Sequence, residues 1–258
     1  MNSAALAASL VERGLDPSER HAKEALFEQA LARFSKMAAS PAANARVSAT
    51  VGSDPWAWWV PGRLEVFGTH TDYAGGRTLV CAVPRGFAVI ARPRADGILH
   101  VIDARRDQDV LLTVSDVERV LQSTSLGWRR YVAVVLRRLA RNFPAASHGA
   151  DLAFASDLPR ASGMSSSSAL MVAVATVLVR AGDLHARAEW RENISSKRDE
   201  AGYYACIENG LSFGTLSGDG GVGTHVIASR NHSTATVVAP NRSRWRMAFA
   251  RRSRMIPA

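Results

Sequence analysis

The sequence predicts a mixed α/β (α+β) domain, and three features carry that reading. Five β-type runs, at residues 58–67, 78–83, 87–92, 98–103 and 110–114, follow one another with Gly, Pro and Asp turn residues between them. Two later or earlier stretches, 17–38 and 128–139, repeat apolar residues at helical spacing. A short strand at 151–155 then runs through a glycine and serine turn into an almost wholly apolar helix. At 258 residues with 47% hydrophobic content, the chain can bury a substantial core.

Each element has its own signal. Residues 1–11 are alanine-rich, lack a basic start and meet Glu12 and Arg13 before a long apolar core forms, which makes a poor secretory signal. Asp16 as N-cap, Pro17 at the first helical position and Glu19 open a helix. Phe27, Ala30, Leu31, Phe34 and Met37 carry it to about residue 38, and residues 40–54 read as a loop. After the β-type runs, Trp128, Tyr131, Val132, Val135, Leu136 and Leu139 mark one helix face, while Arg129, Arg130, Arg137 and Arg138 read as a solvated stripe on the other. The apolar helix starts near Ser166 and ends by Gly182, and one further helix covers 186–207. There is no internal repeat, low-complexity segment or clear linker.

Charge and cysteine content exclude several classes. The net charge of +9 suggests nucleic-acid binding, but six of the 32 basic residues (Arg242, Arg244, Arg246, Arg251, Arg252 and Arg254) fall in residues 240–258, which hold no acid. Residues 1–239 are left with 26 basic against 23 acidic groups, or +3, so the excess belongs to one Arg-rich tail and no nucleic-acid partner is expected. No apolar stretch is long enough to span a bilayer, so no membrane partner is expected. Cys81 and Cys206, without metal-knuckle spacing, suit a reducing compartment and a cytoplasmic location.

Three clusters carry chemistry. In the first, residues 62–73, an Arg, a His and an Asp leave a strand toward the turn Ala74, Gly75, Gly76, well placed to hold a small polar ligand. In the second, residues 159–169, Gly163 and Ser165 to Ser168 sit between a strand and a helix, where free backbone N–H groups and the positive helix end suit phosphate; a well-capped helix is the alternative. No Gly-Lys-Ser/Thr follows, so this is not a Walker loop. The third, Gly218, Asp219, Gly220, Gly221, Val222, Gly223, satisfies Gly-x-Gly-x-x-Gly, but Thr224 to Ala228 is not helix-like, so a loop lining the active site is expected instead of a dinucleotide fold.

The first cluster resembles the N-terminal signature of galactokinase, and residues 159–169 resemble the Pro-x-Gly-x-Gly-Leu-Ser-Ser-Ser-Ala phosphate loop of the galactokinase, homoserine, mevalonate and phosphomevalonate (GHMP) kinase superfamily. The resemblance runs from about residue 58 to 223. It implies the N-terminal GHMP-kinase domain, a mixed sheet with packed helices like the second domain of a small-subunit ribosomal protein. Residues 1–55 then lead into an ATP- and sugar-binding domain at 56–239, with the tail at 240–258.

The resemblance also implies roles. Arg63 would steady the reacting hydroxyl and transferring phosphate; Thr69, His70, Asp72 and Tyr73 belong to the sugar-binding motif, with His70 and Asp72 on sugar hydroxyls. Gly163, Ser165 and Ser166 would cradle the ATP phosphates, and Ser167 with Glu208 would hold Mg2+. Against the family pattern, Thr69 replaces an acid that contacts the sugar, Glu65 an asparagine, and Ala161 a phosphate-loop glycine. No Asp or Glu follows Asp219, so the base is either Asp219 in a shifted role or missing. The chain stops at Ala258, before the family's third motif and C-terminal domain. The implied function is a galactokinase-like, ATP-dependent sugar kinase; a non-catalytic sugar or nucleotide sensor, or an inactive remnant, is the alternative.

Overall fold

In this computed structural model the described residues are 1–39, 54–67, 79–159 and 163–221. They hold five strands, β1 (Trp56–Phe67), β2 (Leu79–Arg94), β3 (Leu99–Asp103), β4 (Gln108–Leu112) and β5 (Gly149–Ser156). The helices are α1 (Ser3–Glu12), α2 (Arg20–Ala39), α3 (Val117–Leu121), α4 (Arg129–Asn142), α5 (Ser166–Ala181), α6 (Ala188–Asn193) and α7 (Lys197–Asn209). The strands form one mixed sheet in the order β1-β2-β5-β3-β4, antiparallel throughout except for the parallel β3/β5 pair.

Alternation along the central strands sorts the core into two layers. Trp58, Val60, Phe87, Val89, Leu152 and Phe154 face the helices α4, α5 and α7. Their neighbours Trp59, Ala88, Ile90, Ala153 and Ala155 face Leu10 of α1 and Phe27, Ala30 and Phe34 of α2. A period of two explains this, because successive side chains on a strand point to opposite faces. Both faces are covered, so the central strands read as continuous apolar runs rather than as a polar and apolar alternation.

Several sequence expectations shift in register or extent. The runs at 78–83 and 87–92 are one strand, β2, and Pro84 falls where the β1/β2 register slips between Pro61 and Arg63, so it removes no ladder bond. Residues 1–11, read only for a leader signal, form most of α1, with Asn2 accepting a cap bond from the Ala4 N–H. The helix expected from residue 17 begins as a 3₁₀ turn, Pro17–Glu19, before α2 takes over. The single helix expected over 186–207 is a 3₁₀ turn Leu184–Ala186 followed by α6 and α7; Ser196 caps α7 by accepting from the Asp199 N–H, which ends the continuity. Lys23 of α2 is fully buried and pairs with Asp157 at 2.7 Å, just past β5, tying the N-terminal helices to the domain they were expected only to precede. The tail at 240–258 and most of the 40–54 loop lie outside the described residues.

Candidate active site

The site begins where β1 meets the turn that opens α5. Gly62 comes so near this turn that a Cβ there would stand 2.5 Å from Leu158 Cδ2 and 2.8 Å from the Met164 carbonyl oxygen, a contact only glycine permits. The next residue, Arg63, donates its backbone N–H to that same Met164 carbonyl at 3.2 Å. The register slip of β1 at this point frees these groups from the ladder, a common use of an irregularity beside a functional site.

The turn itself is left-handed at two places. Gly163 has φ +71° with open space where a Cβ would be, and Ser165, the N-cap of α5, has φ 52° and ψ 45°. A serine is rarely held there, and the cost is of order 1 kcal/mol or more. Ser165 makes no side-chain capping bond, so the first-turn N–H groups of α5 keep their positive end for a ligand. Left-handed turns of this kind form concave arrays of N–H groups that suit anions.

Glu208 closes the other side from the last turn of α7. Its Oε1 accepts a hydrogen bond from Ser168 Oγ at 2.9 Å. Ser167 is the serine expected beside Glu208, and the contact comes from the following residue instead. Burial pushes the Glu208 carboxyl above the ordinary carboxylate range, opposed by the Ser168 hydroxyl and then by the nearby Arg63 guanidinium. Arg63 in turn has a buried Nε with no hydrogen-bond partner among the described residues. A raised acid favours its protonated form in the folded chain, so its stabilising contribution is complete below the ordinary carboxylate value and is lost as pH rises through the raised one. Replacing Glu208 by Gln is therefore expected to stabilise the ligand-free chain at neutral pH by about 1 kcal/mol, the usual size of such a gain. Calorimetric melting across pH checks this, and the gain should close toward acid pH.

Asp219 is engaged elsewhere. Its side chain is 1% exposed, with Oδ2 accepting from Arg137 Nε at 3.1 Å and Oδ1 paired with Arg138 at 3.3 Å. The arginine stripe expected to be solvated is corrected at these two positions: Arg138 is 0% exposed and stacks on the Tyr203 ring. Arg137 also donates to the carbonyls of Asp219 and Gly221, and Arg138 to those of Leu211 and to Asn142 Oδ1. The sequence did hold a signal, since Arg138 follows Val134 and Val135 at the spacing of one helix face. This clamp holds the 210–221 loop to α4 and to the end of α7, with Asp219 N–H donating to the Gly210 carbonyl.

The glycines of the third cluster serve that packing. A Cβ on Gly210, at φ +70°, would lie 2.3 Å from Gly221 N, and one on Gly218 would lie 2.3 Å from the Gly210 carbonyl oxygen. Among the described residues of this cluster, 218–221, no helix starts; residues 222–228 lie outside the described residues. Gly210→Ala should cost more than the ~1 kcal/mol of a left-handed alanine alone, because backbone must also move; a urea titration measures it. Of the residues expected at the site, the structure brings together Arg63, Gly163, Ser165, Ser166, Ser167 and Glu208, whereas Thr69, His70, Asp72 and Tyr73 lie outside the described residues. Ser168 is the addition that sequence reasoning missed.

Comparison with known proteins matches the same two pieces of chain. The family model described as the galactokinase galactose-binding signature matches residues 48–93, and that of the GHMP kinases N terminal domain matches residues 130–202. The galactokinase of Roseiflexus sp. (strain RS-1) is 40% identical over 115 residues, covering 45% of this chain and 28% of its own. That of Actinobacillus pleuropneumoniae serotype 5b (strain L20) is 34% identical over 128 residues, 49% of this chain and 32% of its own. Among solved structures, the galactokinase of Lactococcus lactis complexed with galactose aligns at TM-score 0.49 and 22% identity, over 66% of this chain and 40% of its own. The match thus spans about a third of the length of these curated relatives. The two family segments are far apart in sequence, yet the Arg63 to Met164 hydrogen bond joins them in space, and the chain is a galactokinase-like member of the GHMP kinase superfamily.

Proposed function

We propose that this chain carries the nucleotide and sugar sites of an ATP-dependent sugar kinase that transfers the γ-phosphate to a monosaccharide hydroxyl. The observation that carries the reading is Arg63, whose buried Nε has no partner among the described residues, whose backbone N–H meets the left-handed turn at Met164 and whose guanidinium charge acts on Glu208. A buried donor without a partner is costly, and an anionic ligand satisfies it. The turn and the α5 N-terminus suit the ATP phosphates, with Gly163, Ser165 and Ser166 as their cradle.

Divalent cation chemistry fits the donor set. Among the described residues no group of three His, Cys, Asp or Glu side chains could hold a metal by itself. Mg2+ in kinases is held by one or two protein oxygens and the nucleotide phosphates, which is what Glu208 with Ser167, by resemblance to the family motif, would provide. When bound, the cation would neutralise charge on the transferring phosphoryl group. Arg63 would do the same from the side of the sugar, and Thr69, His70, Asp72 and Tyr73 would fix the sugar hydroxyls, by resemblance to the signature motif.

The test is ATP consumption by the full chain with Mg2+ across a monosaccharide panel. Turnover of at least one sugar, absent in the folded Arg63→Ala protein, supports the reading; no turnover above that control contradicts it. Asp219 favours a second reading, a sugar or nucleotide sensor. Its carboxylate is already engaged by two arginines and no Asp or Glu follows it in residues 220–258, which supports a reading of this stretch without a catalytic base. Ligand binding by calorimetry without turnover would select the sensor.

A further inference from the structure

We propose that Ser168 is a positioning residue that holds the Glu208 carboxylate for its divalent cation, an inference that rests on the nucleotide-site reading above. The phosphate-loop motif needs three serines followed by alanine, and here Ser165, Ser166 and Ser167 supply the three. Ser168 is a fourth hydroxyl standing at the alanine position. It lies in the first turn of α5, and its Oγ donates to Glu208 Oε1 at 2.9 Å across the gap to α7.

The chemistry follows from the count of donors and acceptors. A serine hydroxyl has one proton to give, and an ionised carboxylate has two oxygens that can only accept. Ser168 engages Oε1, which in the proposed arrangement leaves Oε2 to face the cation. A glutamate side chain has several rotatable bonds, so a carboxylate at a helix end samples many orientations unless something fixes it. Ser168 is fixed by its own helix, on the element that also presents the phosphate-binding turn. The hydrogen bond therefore selects an orientation in which Oε2 remains the oxygen for a cation. Outer hydrogen bonds of this kind typically contribute 10–100-fold to metal affinity.

The experiment titrates Mn2+ into the full-length chain with saturating ADP, followed by electron paramagnetic resonance, alongside ADP binding without metal by calorimetry. Ser168→Ala is expected to weaken Mn2+ binding by roughly 10-fold, to leave metal-free ADP affinity unchanged, and to melt within a few degrees of the parent. Ser168→Thr, which keeps the hydroxyl, should restore Mn2+ affinity. Unchanged Mn2+ affinity in Ser168→Ala overturns the proposal. So does a loss as large as that of Glu208→Gln, which would make Ser168 a cation ligand in its own right, or an equal loss of metal-free ADP binding, which would make it a structural part of the turn. If the parent binds no Mn2+ with ADP, the nucleotide-site reading falls and takes this inference with it. If the parent binds and only Glu208→Gln fails, the proposal alone falls.

Discussion

Replacing Arg63 by alanine is expected to lower kcat by roughly 10²–10³-fold, the cost of losing one preorganised donor at a developing negative charge. Stability should change little or rise. The Arg63 Nε is buried without a partner among the described residues, so its removal relieves an unsatisfied donor instead of breaking a bond. The β1 contact to the phosphate-binding turn survives, because it uses the Arg63 backbone N–H. Arg63→Lys should recover only part of the activity, since an ammonium cannot reproduce the planar fork of a guanidinium. Steady-state kinetics at saturating ATP, with melting curves on the same samples, separate the two effects. A fall in melting temperature matching the fall in activity would make Arg63 a structural residue.

The largest expected stability loss comes from Asp219→Ala. It leaves Arg137 and the fully buried Arg138 without their carboxylate. Breaking a buried pair from one side typically costs about 3–5 kcal/mol, because the remaining charge stays desolvated. In a domain of this size that lowers the melting temperature by roughly 10 °C. The Asp219 N–H to Gly210 carbonyl bond is a backbone contact and survives the substitution, so the loss falls on the side-chain clamp to α4. The comparison that separates a structural from a catalytic Asp219 is kcat measured well below the melting point. A clamp predicts near-parent kcat in Asp219→Asn at low temperature; a catalytic base predicts a loss of orders of magnitude at every temperature.

Much of the architecture was legible because it rests on local patterns. The Trp58 to Val60 run, residues 152–155 of β5 and the body of α5 are apolar segments near turn residues, and such segments declare themselves in a sequence. The turn before α5 was legible through Gly163 and the serine run, whereas the left-handed backbone of Ser165 was not. What was not legible depends on tertiary context. Arg138 carries a charge that pattern reasoning sends to solvent, and only the arrival of Asp219, far along the chain, makes its burial tolerable. Pro84 argues against a continuous strand unless the register slip beside Gly62 is known. Among Ser166, Ser167 and Ser168, which hydroxyl meets Glu208 is set by the rotation of α5 against α7, and a motif does not encode that rotation.

The most direct test of the site is a calorimetric titration of the full chain with a non-hydrolysable ATP analogue and Mg2+. Arg63, the 163–168 turn and Glu208 together predict a single saturable site, with Mg2+-dependent affinity that is lost in Glu208→Ala while the fold and its melting transition remain. A folded chain that gives no binding heat, or that binds the analogue equally well without Glu208, would contradict it.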